Sequence, residues 1–136
     1  MSVSGSAPEA LEILAPISAG ELIDKITILE IKAERISDPT KLANVRRELA
    51  ELDALRTRHR LEGLDVLTAD LRTVNETLWE VEDELRLLEL EQRFDARFLA
   101  LARAVYQTND RRAALKKEIN LLVGSAIVEE KSYAGT

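Results

Sequence analysis

Cysteine is absent from the 136-residue sequence, and histidine occurs once. Without cysteine the chain forms no disulfide, thiolate metal site or thiol nucleophile, and one histidine does not build a histidine-based metal site. The G-x-G-x-x-G and G-x-x-x-x-G-K-[ST] patterns of phosphate-binding loops are also missing. These absences exclude the common metal and nucleotide sites, and we expect no cofactor.

Long apolar runs are missing as well, since none approaches the ~20 residues that a membrane-spanning helix needs. The opening segment MSVSGSAPEA lacks a basic region followed by a long apolar region, so we expect no secretory signal. The net charge is −6, whereas proteins that contact nucleic-acid phosphates are usually basic. We therefore expect a cytoplasmic protein that binds neither membranes nor nucleic acid.

Helix-breaking and aromatic residues are scarce, with three prolines, five glycines and 4 % aromatics. Leu, Ala, Glu and Arg dominate the rest of the chain, which favours a few long helices. Apolar residues make up 46 % and charged residues 32 %, as in a folded globular domain. The composition therefore predicts an all-α protein.

Residues 19–36 predict a helix with two apolar stripes, where a surface helix has one. The first stripe has helical spacing and comprises Leu22, Ile26, Leu29, Ala33 and Ile36. Ile23, Ile28 and Ile31 lie away from it at about 100° per residue. Because few long helices leave little surface to cover both stripes, we predict a homodimer with these three isoleucines at its contact. The alternative is a monomer in which the C-terminal helix or residues 127–133 fold back over them.

Further helices follow this one. Asp38 and Pro39 predict the N-cap and first residue of a second helix, which runs to about residue 61. From Leu64 to Leu88, apolar residues repeat at alternating spacings of three and four without a gap, which indicates coiled-coil-like packing. The pattern changes phase near residues 91–95, so residues 65–107 form either one kinked helix or two.

The predicted fold is an antiparallel hairpin or bundle of long helices with coiled-coil-like packing and a C-terminal helical segment. A flexible N-terminal arm covers residues 1–16, the bundle covers 17–124, and a C-terminal tail covers 125–136. Apolar residues in the tail sequence SAIVEEKSYAGT suggest that it docks on the bundle.

Several segments together resemble a small bacterial family of unknown function. The resemblance rests on the segments GELIDKITILEIK, LARAVYQTNDRRAALKKEINLLVGS and EEKSY. It spans about residues 17–133 and implies a cytoplasmic, all-helical bacterial protein. It implies no catalytic residue.

Two acid pairs have the spacing with which all-α nucleoside triphosphate pyrophosphatases of the MazG type hold Mg²⁺. Glu48 with Glu51, and Glu80 with Asp83, would each place two carboxylates on one helix face. Among 25 acidic residues such pairs are expected by chance, and a solvated helix face explains them more simply.

A second enzyme alternative is a helical chorismate mutase, because the segment IDKITILEIKAERI resembles the long first helix of that fold. Its site requires arginines and a lysine around a dicarboxylate. Arg35, Lys41 and Arg47 are present, but the last two lie too close in sequence for that pattern.

The most suggestive polar group is Asn75, Trp79 and Glu82, spaced about one turn apart beside the third-helix seam. Residues that lie opposite them on the last helix would be Arg103, Tyr106, Asn109, Asp110 and Arg111. The group predicts a polar pocket or a docking patch anchored by the only tryptophan. The alternative is a half-buried Trp79 at the bundle edge, with interhelical ion pairs around it.

Together these features predict a homodimeric helical interaction or assembly module that can bind a further protein partner, with no evident catalysis. The alternative is a small all-α enzyme that acts on an anionic or phosphorylated metabolite.

Overall fold

The computed structural model describes residues 10–132, and every regular element in that range is an α-helix. The helices are α1 (Ala19–Arg35), α2 (Pro39–Arg58), α3 (Asp65–Leu90) and α4 (Ala96–Val123). Within these residues the central helix is α1, which contacts the other three helices, whereas α2 packs on α1 alone and α3 packs along α4. The predicted all-α class is confirmed, while coiled-coil packing stays a prediction.

Side-chain caps determine where the first two helices begin. Ser18 accepts a hydrogen bond from the Glu21 backbone N–H at 3.0 Å, which satisfies one of the free amides at the start of α1. Asp38 accepts hydrogen bonds from two backbone amides in the first turn of α2, and Pro39 occupies the first helical position as predicted. The second helix ends at Arg58, slightly earlier than expected.

The phase change near residues 91–95 separates two helices. Gln92 adopts a positive φ of 54° just after α3 ends at Leu90. Asp95 then caps α4 by accepting a hydrogen bond from the Phe98 backbone N–H at 3.2 Å. Residues 65–107 therefore form two helices, and α4 ends at Val123, where Gly124 caps it with a φ of 67°.

The repeating apolar residues of α3 face the interior of the bundle. All of them, from Leu64 to Leu88, are buried or half-buried. The central apolar cluster lies between α1, α3 and α4 and comprises Ile23, Leu64, Leu71, Leu115 and Ile119.

Both stripes of α1 are covered within the chain. Ile23 and Ile31 are each 1 % exposed, and Ile28 is half-buried. The inference that a few long helices would leave Ile23 and Ile31 uncovered is therefore wrong, because α3 and α4 pack on their side of α1. The opposite stripe, which begins at Leu22, faces the side left for α2. The homodimer stays a prediction, but Ile23 and Ile31 are not available for its contact.

The C-terminal tail returns along α4 and is held mainly by charged groups. Residues 125–132 form this strap, which also reaches α1, because the Ala19 N–H donates to Ser125 Oγ at 3.2 Å. The ion pairs between the strap and α4 are Lys116–Glu129, Lys117–Glu130 and Lys131–Asp110. The tail therefore docks on the bundle, but it contacts the start of α1 rather than covering Ile23, Ile28 and Ile31.

Parts of the predicted arm and tail lie outside the described residues, namely 1–9 and 133–136. The described part of the arm is not helical, and Leu11, Ile13 and Leu14 are exposed in it. Within residues 10–132 no helix is both long and apolar enough to cross a membrane.

Gly20 allows a close approach between α1 and α4. Its N–H donates to Asn120 Oδ1 at 2.6 Å, and an added Cβ would lie 2.3 Å from the Lys116 carbonyl oxygen. We predict that Gly20→Ala lowers the free energy of unfolding by about 1–3 kcal/mol. In an unhindered helix the same change would stabilise the protein by up to ~1 kcal/mol. Urea denaturation measures the difference.

Gly63→Ala is the control, because nothing lies within 4 Å of its added Cβ. Because Gly63 has a φ of 75°, alanine there should cost about 1–2 kcal/mol through left-handed backbone strain alone, without a steric clash. A Gly20→Ala protein as stable as the wild type would contradict the close approach.

Candidate functional site: a buried charge network and an adjoining cleft

One fully buried carboxylate, that of Asp24, joins α1 to both α3 and α4. Arg112 on α4 donates from Nε to Asp24 Oδ1 at 2.9 Å and from a terminal nitrogen to Oδ2. Asn75 on α3 donates from Nδ2 to the same Oδ1 at 2.9 Å. A buried carboxylate is tolerated only when it is paired and hydrogen-bonded, and Asp24 meets both conditions.

The sequence places the polar members of this network within the inward side of α1. At about 100° per residue, Asp24 lies on the same side as Gly20, Thr27 and Ile31. Thr27 Oγ1 donates to the Asp24 carbonyl oxygen at 2.8 Å and accepts from Asn75 Nδ2 at 2.9 Å. This side of α1 therefore carries a polar strip between apolar neighbours.

Lys116 extends the network towards solvent. Its Nζ hydrogen-bonds to Glu21 and lies 3.9 Å from Asp24 Oδ2 and 3.4 Å from Glu129 Oε2. Burial by itself lowers the pKa of Lys116, but the hydrogen bond to Glu21 and the nearby carboxylates outweigh it and raise that pKa above its ordinary value. The hydrogen bonds to Asp24 likewise raise the pKa of Arg112. Both cations are therefore charged at neutral pH.

Beside this network lies a cleft of about 210 Å³, which we call the Trp79 cleft. It is lined by Ile28, Ile31 and Lys32 of α1, Asn75, Leu78, Trp79 and Glu82 of α3, and Arg112 of α4. The Arg35 guanidinium carbon lies 5.9 Å from the Trp79 ring centroid, and Arg35 also pairs with Glu80 at 3.4 Å. The cleft thus combines an aromatic wall with groups of both charges.

The structure brings the predicted residues of α3 together and leaves those of α4 elsewhere. Lining the cleft are Asn75, Trp79 and Glu82. The predicted residues that do not line it are Arg103, Tyr106, Asn109, Asp110 and Arg111. In their place α4 contributes Arg112, while Arg111 is exposed and Asp110 pairs with Lys131 of the strap.

Sequence reasoning missed Asp24, Thr27 and Lys116 altogether. The available signal was an acidic and a hydroxyl residue between Ile23 and Ile31, on the side of the helix that those isoleucines bury. A charged residue within an apolar stripe requires a buried partner, although the pattern does not name it.

The two acid pairs considered as an alternative magnesium site lie on helices that do not contact each other within residues 10–132. Glu48 and Glu51 lie on α2, Glu80 and Asp83 lie on α3, and no contact joins these two helices within residues 10–132. The described residues contain no group of three or more histidine, aspartate or glutamate side chains that could hold a metal ion.

The chorismate-mutase alternative also lacks an assembled site. Lys41 and Arg47 are exposed on α2, whereas Arg35 is engaged by Glu80 and the Trp79 ring. Two of the three cations are therefore exposed on α2, and the third already has partners within the chain.

The network makes a testable contribution to stability. We predict that Asp24→Asn lowers the free energy of unfolding by about 3 kcal/mol, because the part-buried Arg112 loses its counterion. Asp83→Asn removes an exposed carboxylate from α3 and should stay within about 0.5 kcal/mol of wild type. Urea denaturation followed by circular dichroism compares the two variants, and equal midpoints would contradict the assigned role of Asp24.

Comparison with curated proteins finds no match, and comparison with solved structures finds none. The profile of a family of unknown function (DUF6165) matches residues 13–136. This range includes all four helices, the Asp24 network and the strap. The likeness to a family of unknown function that the sequence motifs indicated is thereby confirmed. The chain belongs to the DUF6165 family.

Proposed function

We propose that the chain is a helical assembly module that forms a homodimer through the end of its α3–α4 hairpin. We call residues 84–101 the hairpin tip. Arg35, the last residue of α1, lies beside Trp79 and Glu80, so the part of α3 that follows extends beyond α1. At the tip, the two helices are joined to each other by Arg97 and Glu84, with N–O distances of 2.8 and 2.7 Å.

Exposed apolar side chains at the tip are the observation that carries this proposal. Their exposed fractions are 58 % for Leu87, 81 % for Leu90, 59 % for Phe94 and 53 % for Leu99. Phe94 contacts Phe98 edge to face, with ring centroids 5.1 Å apart. Exposed apolar patches often mark an interaction site on soluble proteins, and these four side chains lie close together in the chain.

A second copy of the chain is the partner that fits this surface. Two antiparallel helices are half of a four-helix bundle, and an identical hairpin related by a two-fold axis supplies the other half. The tip carries both charges in similar number: Arg86, Arg93 and Arg97 against Glu84, Glu89, Glu91 and Asp95. Two copies therefore meet without the like-charge repulsion expected from a chain of net charge −6.

The interior charges also favour assembly over catalysis. The carboxylate of Asp24 is engaged by Arg112 and Asn75, and Lys116 by Glu21. General acid–base catalysis needs a group that is free to exchange a proton with a substrate. These groups instead hold helices together. The cytoplasmic location expected from the sequence stays a prediction.

Analytical ultracentrifugation tests the dimer. We predict that the wild-type protein is dimeric with a Kd below about 10 μM. The double variant Leu90→Glu/Phe94→Glu should be monomeric with unchanged helical content, because it places charge in the apolar contact. A matched control is Leu121→Glu/Leu122→Glu, which alters two exposed leucines, 67 % and 63 % accessible, at the other end of α4.

The control should remain dimeric. A wild-type protein that is monomeric at about 100 μM would contradict the proposal, as would a dimer that survives the change at the tip. Loss of the dimer in both double variants would equally contradict a contact located at the tip.

A further inference from the structure

We propose that the Trp79 cleft binds a small zwitterion with the chemistry of an apolar α-amino acid: a carboxylate, an ammonium group and an aliphatic side chain. This site lies on the part of the hairpin that packs against α1, and its occupation does not depend on the proposed dimer. The inference rests on which hydrogen-bonding groups of the cleft remain without a protein partner.

Asn75 supplies a buried acceptor. It is 5 % exposed, and its Nδ2 donates to Asp24 Oδ1 and Thr27 Oγ1, each at 2.9 Å. Because an ionised carboxylate only accepts hydrogen bonds, the amide nitrogen must face Asp24, and Oδ1 is left for another donor. No donor within residues 10–132 hydrogen-bonds to this oxygen, although Asn75 lines the cleft. A ligand N–H would satisfy an acceptor that is costly to leave buried and unpaired.

Arg112 and Lys32 supply the donors for a carboxylate. Arg112 uses Nε and one terminal nitrogen on Asp24, and its other terminal nitrogen has no hydrogen-bond partner among the described residues. The Arg112 side chain is 28 % exposed, so it is reachable from the cleft. Lys32 is half-buried and forms no ion pair within residues 10–132. Hydrogen bonds from such cations to a carboxylate are stronger than those between neutral groups.

Charge balance favours a zwitterion over a simple anion. The charge of Arg112 is balanced by Asp24, which leaves Lys32 and Glu82 as the cation and the anion facing the cleft. A ligand carboxylate pairs with Lys32, and a ligand ammonium pairs with Glu82 and donates to Asn75. A simple anion or cation would satisfy only one side and meet the like charge of the other.

The remaining walls fit a short aliphatic side chain. Ile31 and Leu78 are 1 % and 7 % exposed, and Trp79 adds an aromatic wall that is half-buried. The cleft has a volume of about 210 Å³. That space suits a molecule of the size of leucine and is smaller than the usual site for a larger cofactor.

Trp79 is the only tryptophan, so its fluorescence and its indole N–H resonance report on the cleft directly. We expect L-leucine to cause a saturable change in both. Two analogues test the two charges: 4-methylpentanoate lacks the ammonium group, and L-leucinamide lacks the carboxylate. Each should bind at least about tenfold more weakly, because one cleft charge is then left unpaired.

Three variants locate the binding. Lys32→Gln and Glu82→Gln should each weaken L-leucine binding about tenfold, since each removes one charge partner. Lys25→Gln, an exposed position on α1 outside the cleft, should bind as the wild type does. Circular dichroism confirms that all three variants remain folded.

The proposal would be overturned if L-leucine up to about 50 mM caused no saturable change in Trp79 fluorescence. It would also be overturned if an analogue that lacks one charge bound as tightly as L-leucine, or if Lys32→Gln and Lys25→Gln bound L-leucine with equal affinity. Tighter binding of 4-methylpentanoate than of L-leucine would identify an anion site and would likewise reject the zwitterion.

Discussion

The buried carboxylate of Asp24 is the constraint on which the arrangement of the helices depends. A fully buried negative charge must be paired, and its partners come from two other helices, Arg112 on α4 and Asn75 on α3. These directional bonds fix both the rotation of α1 about its axis and its position along α3 and α4. Apolar packing alone would tolerate several rotations of a helix with two apolar stripes, so the polar contacts select one.

Two further features depend on that rotation. Gly20, one turn before Asp24, comes to face α4, where its lack of a side chain allows the backbones to approach. The opposite stripe of α1 then remains for α2. None of the residues of α2 is buried, and within the described chain α2 packs on no other helix. Stability is therefore expected to be uneven, with α1 at its centre and α2 at its edge.

Local signals in the sequence predicted most of the helix boundaries. Asp38 and Pro39 act through backbone hydrogen bonds and φ values within a few residues, so the start of α2 can be predicted without knowledge of the fold. The apolar repeat of α3 likewise predicted a helix, because burial on one side of a helix imposes a regular spacing of apolar residues. The same reasoning failed wherever the outcome depended on residues far apart in the chain.

The isoleucines of α1 and the arginine of the cleft show why. Covering both stripes of α1 requires α3 and α4 on one side of that helix and α2 on the other, which is a choice of topology that periodicity does not encode. Neighbouring residues of a helix point about 100° apart, so choosing Arg112 over Arg111 requires knowing how α4 is rotated about its axis. The change of phase at residues 91–95 prevented that rotation from being inferred from α3. The strap was indicated only as a tail that docks, because its ion pairs join residues whose proximity depends on the whole fold.

Native-state hydrogen exchange tests the central position of α1 most directly. If the Asp24 network organises the bundle, amides of α1 from Asp24 to Ile31 should exchange only through global unfolding. Amides of α2 should exchange through a partial opening of lower free energy, because among residues 10–132 that helix packs on α1 alone. Equal protection of α1 and α2, or exchange of α1 before α2, would contradict the account.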